Sequence, residues 1–281
     1  MAKARATVAL LWALATACAS AAGNLQEESS QSSSPCNKKP AAPRRGTGYD
    51  DKPVDACLGP QHYRIPANYF RDQIGPDFQG NFSLTVQWPD LQPIPPGERE
   101  TQEWAQQIKH VAVSPYYVDR VPIETRLDSS IEARRTDPYY RDDDPEERLD
   151  LRVRQPERFG LTPYYVDPAK FWAFFERRSR INGHPVRARL ENTRDWYLGH
   201  DAQGRLTTVI KCDSHVEVDG LAVQGDRLVE DGARRFPGCT QEIVMVESKL
   251  LITIDYRRVL LHDWKRFEDR TRQLFTQYRV R

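Results

Sequence analysis

Leu250-Leu251-Ile252-Thr253-Ile254-Asp255-Tyr256 decides the fold class. Leu250, Ile252, Ile254 and Tyr256 alternate with Thr253 and Asp255, the period of two that gives a strand one buried and one solvated face. The apolar run 243–246 lies just upstream, separated by Glu247-Ser248-Lys249, so the two runs predict a β-hairpin. Downstream, Leu260, Trp264, Phe267, Thr271, Leu274 and Tyr278 recur at three- and four-residue steps, while Arg266, Glu268, Asp269, Arg270 and Arg272 lie off that stripe. Mixed charges on the polar face suit a helix packed on a core better than one lying on a membrane. The expected architecture is therefore α+β: a mainly antiparallel sheet with a C-terminal amphipathic helix packed on it.

Working outward, Phe82, Leu84, Val86 and Trp88 alternate with Ser83, Thr85 and Gln87, a second clear strand. Residues 108–113 read as another, and 103–108 suit a helix as well. Residues 195–198 and 206–212 flank His200-Asp201-Ala202-Gln203-Gly204 as a hairpin, and 213–238 reads as loop. Asp167-Pro168 starts a helix carrying Phe171-Trp172-Ala173-Phe174-Phe175; four aromatics in five residues exceed what one helix face buries. Ser114-Pro115-Tyr116-Tyr117-Val118-Asp119 recurs as Thr162-Pro163-Tyr164-Tyr165-Val166-Asp167, with a weaker copy at Asp137-Pro138-Tyr139-Tyr140. The flanks do not repeat, so these are similar Pro-initiated strands or turns and not a solenoid. Paired tyrosines serve as carbohydrate platforms or as strand anchors.

The N-terminus reads as an export signal. Lys3 and Arg5 precede an uncharged run at 6–17 that is too short to span a bilayer. Ala15-Thr16-Ala17-Cys18 resembles a bacterial lipobox, which would lipidate Cys18 and favour the outer membrane. Ala19-Ser20-Ala21 offers ordinary cleavage and a soluble secreted or periplasmic product instead. Residues 18–56, with Gln26-Glu27-Glu28-Ser29-Ser30 and a Pro/Arg/Gly stretch, compose a disordered tether. The folded domain is expected over 57–281, either as one sheet or as subdomains 57–160 and 161–281. Setting Cys18 aside leaves Cys36, Cys57, Cys212 and Cys239, which an oxidising compartment would pair. Neighbourhood favours Cys36–Cys57 and Cys212–Cys239; buried free thiols are the alternative.

With 41 Lys+Arg against 40 Asp+Glu over 281 residues, the chain has no global basic footprint for nucleic acid. No nucleophile elbow, phosphate loop, dinucleotide fingerprint or His/Cys metal spacing occurs, and the six histidines are scattered. No cofactor or metal is expected. Asp213-Ser214-His215 has triad residue types, but roles depend on spatial geometry. Asp142-Asp143-Asp144-Pro145-Glu146-Glu147 alternates like a calcium loop. Glu147 stands at the turn position and Val153 where the closing Glu belongs, so a solvated acidic loop fits better. Such a loop can still meet a basic protein partner. Tyr116, Tyr117, Tyr164, Tyr165, Asp142, Asp143 and Asp144 are accordingly the candidate partner-binding residues.

Tyr63-Arg64-Ile65-Pro66-Ala67-Asn68-Tyr69-Phe70, Trp88-Pro89-Asp90-Leu91-Gln92-Pro93, Arg158-Phe159-Gly160-Leu161 and Ile254-Asp255-Tyr256-Arg257-Arg258 through Leu261, Trp264 and Phe275 resemble a group of proteobacterial envelope lipoproteins. Members often accompany type VI secretion and toxin–immunity systems, and their shared motifs are structural. The resemblance implies a non-enzymatic periplasmic lipoprotein that binds a protein partner, an immunity protein in one reading. It touches the membrane only through its lipid. A structural or assembly lipoprotein of the envelope and a carbohydrate-active hydrolase remain the alternatives.

Overall fold

A computed structural model describes Cys36 and residues 49–77, 79–132 and 143–280. The leader, Cys18, the weaker Pro-Tyr-Tyr copy at 137–140 and Asp142 lie outside the described residues.

In chain order the elements are β1 (Pro53–Leu58), β2 (Gln61–Pro66), β3 (Leu84–Gln87), α1 (Trp104–Gln107), β4 (His110–Tyr117), α2 (Arg126–Ile131), β5 (Arg152–Arg154), β6 (Thr162–Val166), α3 (Pro168–Asn182), β7 (Arg194–His200), β8 (Leu206–Asp213), β9 (Leu221–Gln224), β10 (Arg227–Glu230), β11 (Gly238–Met245), β12 (Leu250–Arg257) and α4 (Trp264–Gln277). Eight strands form one sheet in the order β3-β4-β12-β11-β8-β7-β6-β5, antiparallel throughout. The sheet draws strands from both 57–160 and 161–281.

The alternation read in β12 sets the two faces. Ile252 and Ile254 stand opposite Ile243 and Gln241 of β11, and all four are fully buried. α4 lies on this face. Phe267, Leu274 and Phe275 are each under 3% exposed, and such burial contributes about 1.5–3 kcal/mol per side chain. Tyr256 meets Phe267 at 4.7 Å between ring centroids, and Tyr63 of β2 meets Phe275 edge-on at 5.7 Å. A 3-10 turn over Arg258–Asp263 carries the chain from β12 into α4 and buries Leu260, the first residue of the expected helical stripe. α3 follows the local signals closely. The Asp167 side chain accepts hydrogen bonds from the Ala169 and Lys170 amides, and Gly183 ends the helix at φ 72°. Of its aromatics Phe171 and Phe174 are buried, while Trp172 is 50% exposed.

Two hairpins escaped the sequence reading. β1–β2 turns through Gly59-Pro60, and its first strand begins inside the expected tether. β9–β10 turns through Gly225-Asp226 inside the stretch read as loop. Both disulfides are present as Cys36–Cys57 and Cys212–Cys239, the second joining directly opposed residues of β8 and β11.

Candidate functional site

The sheet face turned away from α4 divides into a covered and an open half. Over β7 and β8, α2 and the segment 143–151 cover it. Leu127 of α2 packs on Leu198 and Val209. Trp196 carries the Arg152 guanidinium 4.0 Å and the Lys211 ammonium 4.4 Å from its ring centroid. Lys211 Nζ donates to Ser130 O at 2.6 Å, and Arg152 donates to Arg194 O and Glu146 O, each at 2.7 Å. Burial lowers the Arg152 pKa to about 10.

Towards β3, β4 and β12 the same face is open. Here side chains are short: Thr85, Ala112, Asp255 and Thr240 form one cross-strand row, next to Gly238. Short floor residues under a rim from α1 and the loop before it leave a cleft of about 520 Å³. Four arginines line it, Arg71, Arg99, Arg194 and Arg257, against two aspartates, Asp213 and Asp255. Both aspartates are already engaged: Asp213 accepts from the Gly238 amide at 2.8 Å and Asp255 from Thr240 Oγ1 at 2.7 Å. Three arginines are fixed by main-chain carbonyls. Arg99 donates to Asn68 O at 3.1 Å, Arg194 to Lys211 O at 2.8 Å and Arg257 to Phe236 O at 3.0 Å. Among the described residues none of the four forms an ion pair with a carboxylate.

His110 sits beneath them. Its Nε2 lies 2.6 Å from Gln102 Oε1, which suits the tautomer protonated at Nε2. Burial, then the charges of Arg99, Arg71 and Arg257, lower its pKa to about 4, so the ring is neutral at pH 7. Trp104 stands at the rim, 43% exposed, with its ring 5.1 Å from Phe236. Two other concavities are similar in size, and each has two arginines in its lining, one of them paired with a carboxylate. One, of about 590 Å³ beside the end of α4, contains Arg272, paired with Glu268. The other, of about 640 Å³ beside Trp172, contains Arg235, paired with Glu217.

The residues singled out in the sequence do not converge. Adjacent strand residues point to opposite faces, so a Tyr-Tyr pair cannot form one platform. Tyr116 is 49% exposed, whereas Tyr117 packs on the core and over Gly59, where a Cβ would lie 2.4 Å from its ring. Tyr164 packs against the Leu198–Val209 cluster, and Tyr165 stacks on His215 at 4.0 Å. β4 and β6 are five strand steps apart in the sheet, about 24 Å along it. The acidic run is drawn inward instead of solvated: Asp144 is 3% exposed, Glu146 is half-buried, and Asp143 pairs with Arg177. Asp144 is therefore drawn into the protein interior. Within Asp213-Ser214-His215, Asp213 bonds Gly238, whereas His215 Nδ1 lies 2.9 Å from the buried Asp195 carboxylate. Ser214 is buried and its Oγ accepts from the Val216 amide.

The cleft residues come from seven places in the chain, which is why the sequence hid them. The available signal was polar alternation: Thr253, Asp255 and Arg257 mark one face of β12 as non-core, without revealing that this face is concave.

Neither a protein-family model nor a curated protein matches the chain. A solved structure does. Smlt3025, an immunity protein of the Stenotrophomonas maltophilia type IV secretion system, is 35% identical, with a TM-score of 0.73 over 82% of this chain and 94% of that one.

Proposed function

The chain belongs to the family of that Stenotrophomonas maltophilia immunity protein, and from that premise we propose that it is a non-enzymatic, exported protein that binds and neutralises a toxin delivered by a bacterial secretion system. The observation that carries the reading is this kinship over nearly the whole folded region. The two disulfides support an oxidising compartment and hence a periplasmic site of action. The open sheet face supports binding over hydrolysis, since its two carboxylates already accept hydrogen bonds from Gly238 and Thr240. In this reading the mature protein is held on the periplasmic side of the outer membrane through Cys18. The related protein serves a type IV system, whereas the sequence resemblance points to type VI; the test below separates them.

The test is growth competition. A strain lacking this chain is mixed with its parent, with the parent's type IV or type VI machine disabled in turn. Selective killing of the deletion strain by a parent with one machine intact, reversed by the exported chain but not by a form lacking residues 2–17, is expected. Equal survival beside every parent rejects the immunity reading.

A further inference from the structure

We infer that the arginine-lined cleft over β3, β4, β12 and β11 is the seat of an acidic segment of the toxin, whose Asp or Glu side chains the arginines bind. The inference rests on the toxin-binding reading above and adds where, and by what chemistry, the toxin is held.

The argument is charge complementarity in a concave, fixed frame. Four guanidinium groups face two carboxylates whose acceptor capacity is partly spent within the sheet. Like charges this close repel, and a folded protein normally relieves them by pairing. Elsewhere on this chain several arginines have such partners: Arg205 with Asp201, Arg235 with Glu217, Arg258 with Asp219 and Arg272 with Glu268. The cleft gathers four arginines that lack such a partner among the described residues into one concavity. Burial also lowers the pKa values of Arg99 and Arg257; at Arg99 the charges of Tyr49 and Asp72 offset it only in part. Arg99 Nε is buried without an acceptor among the described residues.

The arginines are also prepared to bind. Anchoring by the carbonyls of Asn68, Lys211 and Phe236 holds the forks of Arg99, Arg194 and Arg257 in place while other N–H groups stay available. Less side-chain entropy is then lost on docking. A carboxylate suits this fork geometry, accepting two parallel N–H bonds. The rim favours a protein occupant over a free anion. Trp104 is an exposed, hydrogen-bonded indole, held to Glu230 at 2.9 Å. Trp and Arg together are the residue types that anchor protein interfaces. The related protein is itself named for immunity, a role that requires a partner.

The test uses Arg71→Glu/Arg194→Glu in the full exported chain. Both side chains are exposed, so the fold is expected to survive; thermal unfolding checks this. Arg120→Glu/Arg187→Glu, exposed residues outside the cleft, makes the same change in net charge. In the competition assay the cleft variant is expected to lose at least tenfold in survivors, while the control variant protects like the native chain. Milder Arg71→Gln/Arg194→Gln is expected to fall between them and covers the case of a misfolded reversal. Purified native chain should also bind a fluorescent ten-residue oligoglutamate at low salt, at least tenfold more tightly than the cleft variant, with inorganic phosphate a poor competitor. Protection by the cleft variant equal to native overturns the inference, as does equal loss in both reversals. Phosphate displacing the peptide at equal concentration overturns it in favour of a small-anion site. If the native chain itself fails to protect, the immunity reading has failed, and the peptide result then judges the cleft alone.

Discussion

Glu146 shows how misleading a run of charges can be at the scale of single residues. Burial, then the neighbouring Asp144 carboxylate, raises its pKa from the ordinary 4.5 to about 7. The native state therefore holds a proton between pH 4.5 and 7 that the unfolded chain has released. Stability consequently falls as pH rises through that window, and the penalty is complete above pH 7. Glu146→Gln removes the titration. Relative to native, the variant should gain about 1 kcal/mol at pH 8 over its difference at pH 4.5, a figure reduced for the side chain's partial exposure. Urea unfolding at the two pH values measures it; an identical difference at both would reject the buried-carboxyl account. In the sequence, Asp142 to Glu147 reads as a solvated loop because five carboxylates around one proline have no local reason to be buried. The reason is tertiary. Arg152 donates to the Glu146 carbonyl and stacks on Trp196, drawing the loop onto the sheet. The cleft was hidden in the same way, since Arg194 and Arg257 become neighbours only through β8 and β11.

At the scale of elements, the strongest predictions came where one periodicity ran long enough. β12, α3 and α4 were legible from alternation, an Asp-Pro start and a three-four stripe. β5, β9 and β10 were not: β5 spans three residues, and β9 and β10, of four each, are unlike β3 not extended by an apolar alternation past their ends. The two-residue Gly225-Asp226 and Gly59-Pro60 turns were the remaining clue. The disulfides act at this scale too. Cys212 and Cys239 are fully buried between paired strands, and their bridge encloses the β9–β10 hairpin over a separation of 27 residues. Closing such a loop stabilises by about 3–4 kcal/mol in the chain-entropy model. Cys36 and Cys57 are only half-buried. Mild reductant followed by alkylation should therefore label Cys36 and Cys57 first, with Cys212 and Cys239 reacting only on unfolding. Mass spectrometry of the alkylated peptides reads the order, and simultaneous labelling of all four would contradict it. Cys212→Ala/Cys239→Ala should in addition lower the urea-unfolding free energy by about 3 kcal/mol.

At the scale of the whole molecule, the question is how a folded domain with an open, basic cleft is held where a toxin arrives. No helix among the described residues is long and apolar enough to cross a membrane. The attachment expected from the sequence is a lipid on Cys18, and the Cys36–Cys57 bridge then has a mechanical consequence. The bridge joins Cys36 to β1, so only the residues between 18 and 36 act as spacer, a reach of at most about 60 Å when fully extended. Without the bridge the spacer would run to the start of β1 and its reach would about double. A lipid-anchored native chain should partition into the detergent phase of an envelope extract, with an acylated N-terminal peptide beginning at Cys18. Cys18→Ser should move it to the aqueous phase while both disulfides persist, because neither involves that residue. A native chain already in the aqueous phase, with its N-terminus at Ala22, would reject the lipid anchor and establish cleavage after Ala19-Ser20-Ala21. In that case the cleft works from a freely diffusing protein, and protection in the competition assay should depend on expression level far more steeply than an anchored inhibitor requires.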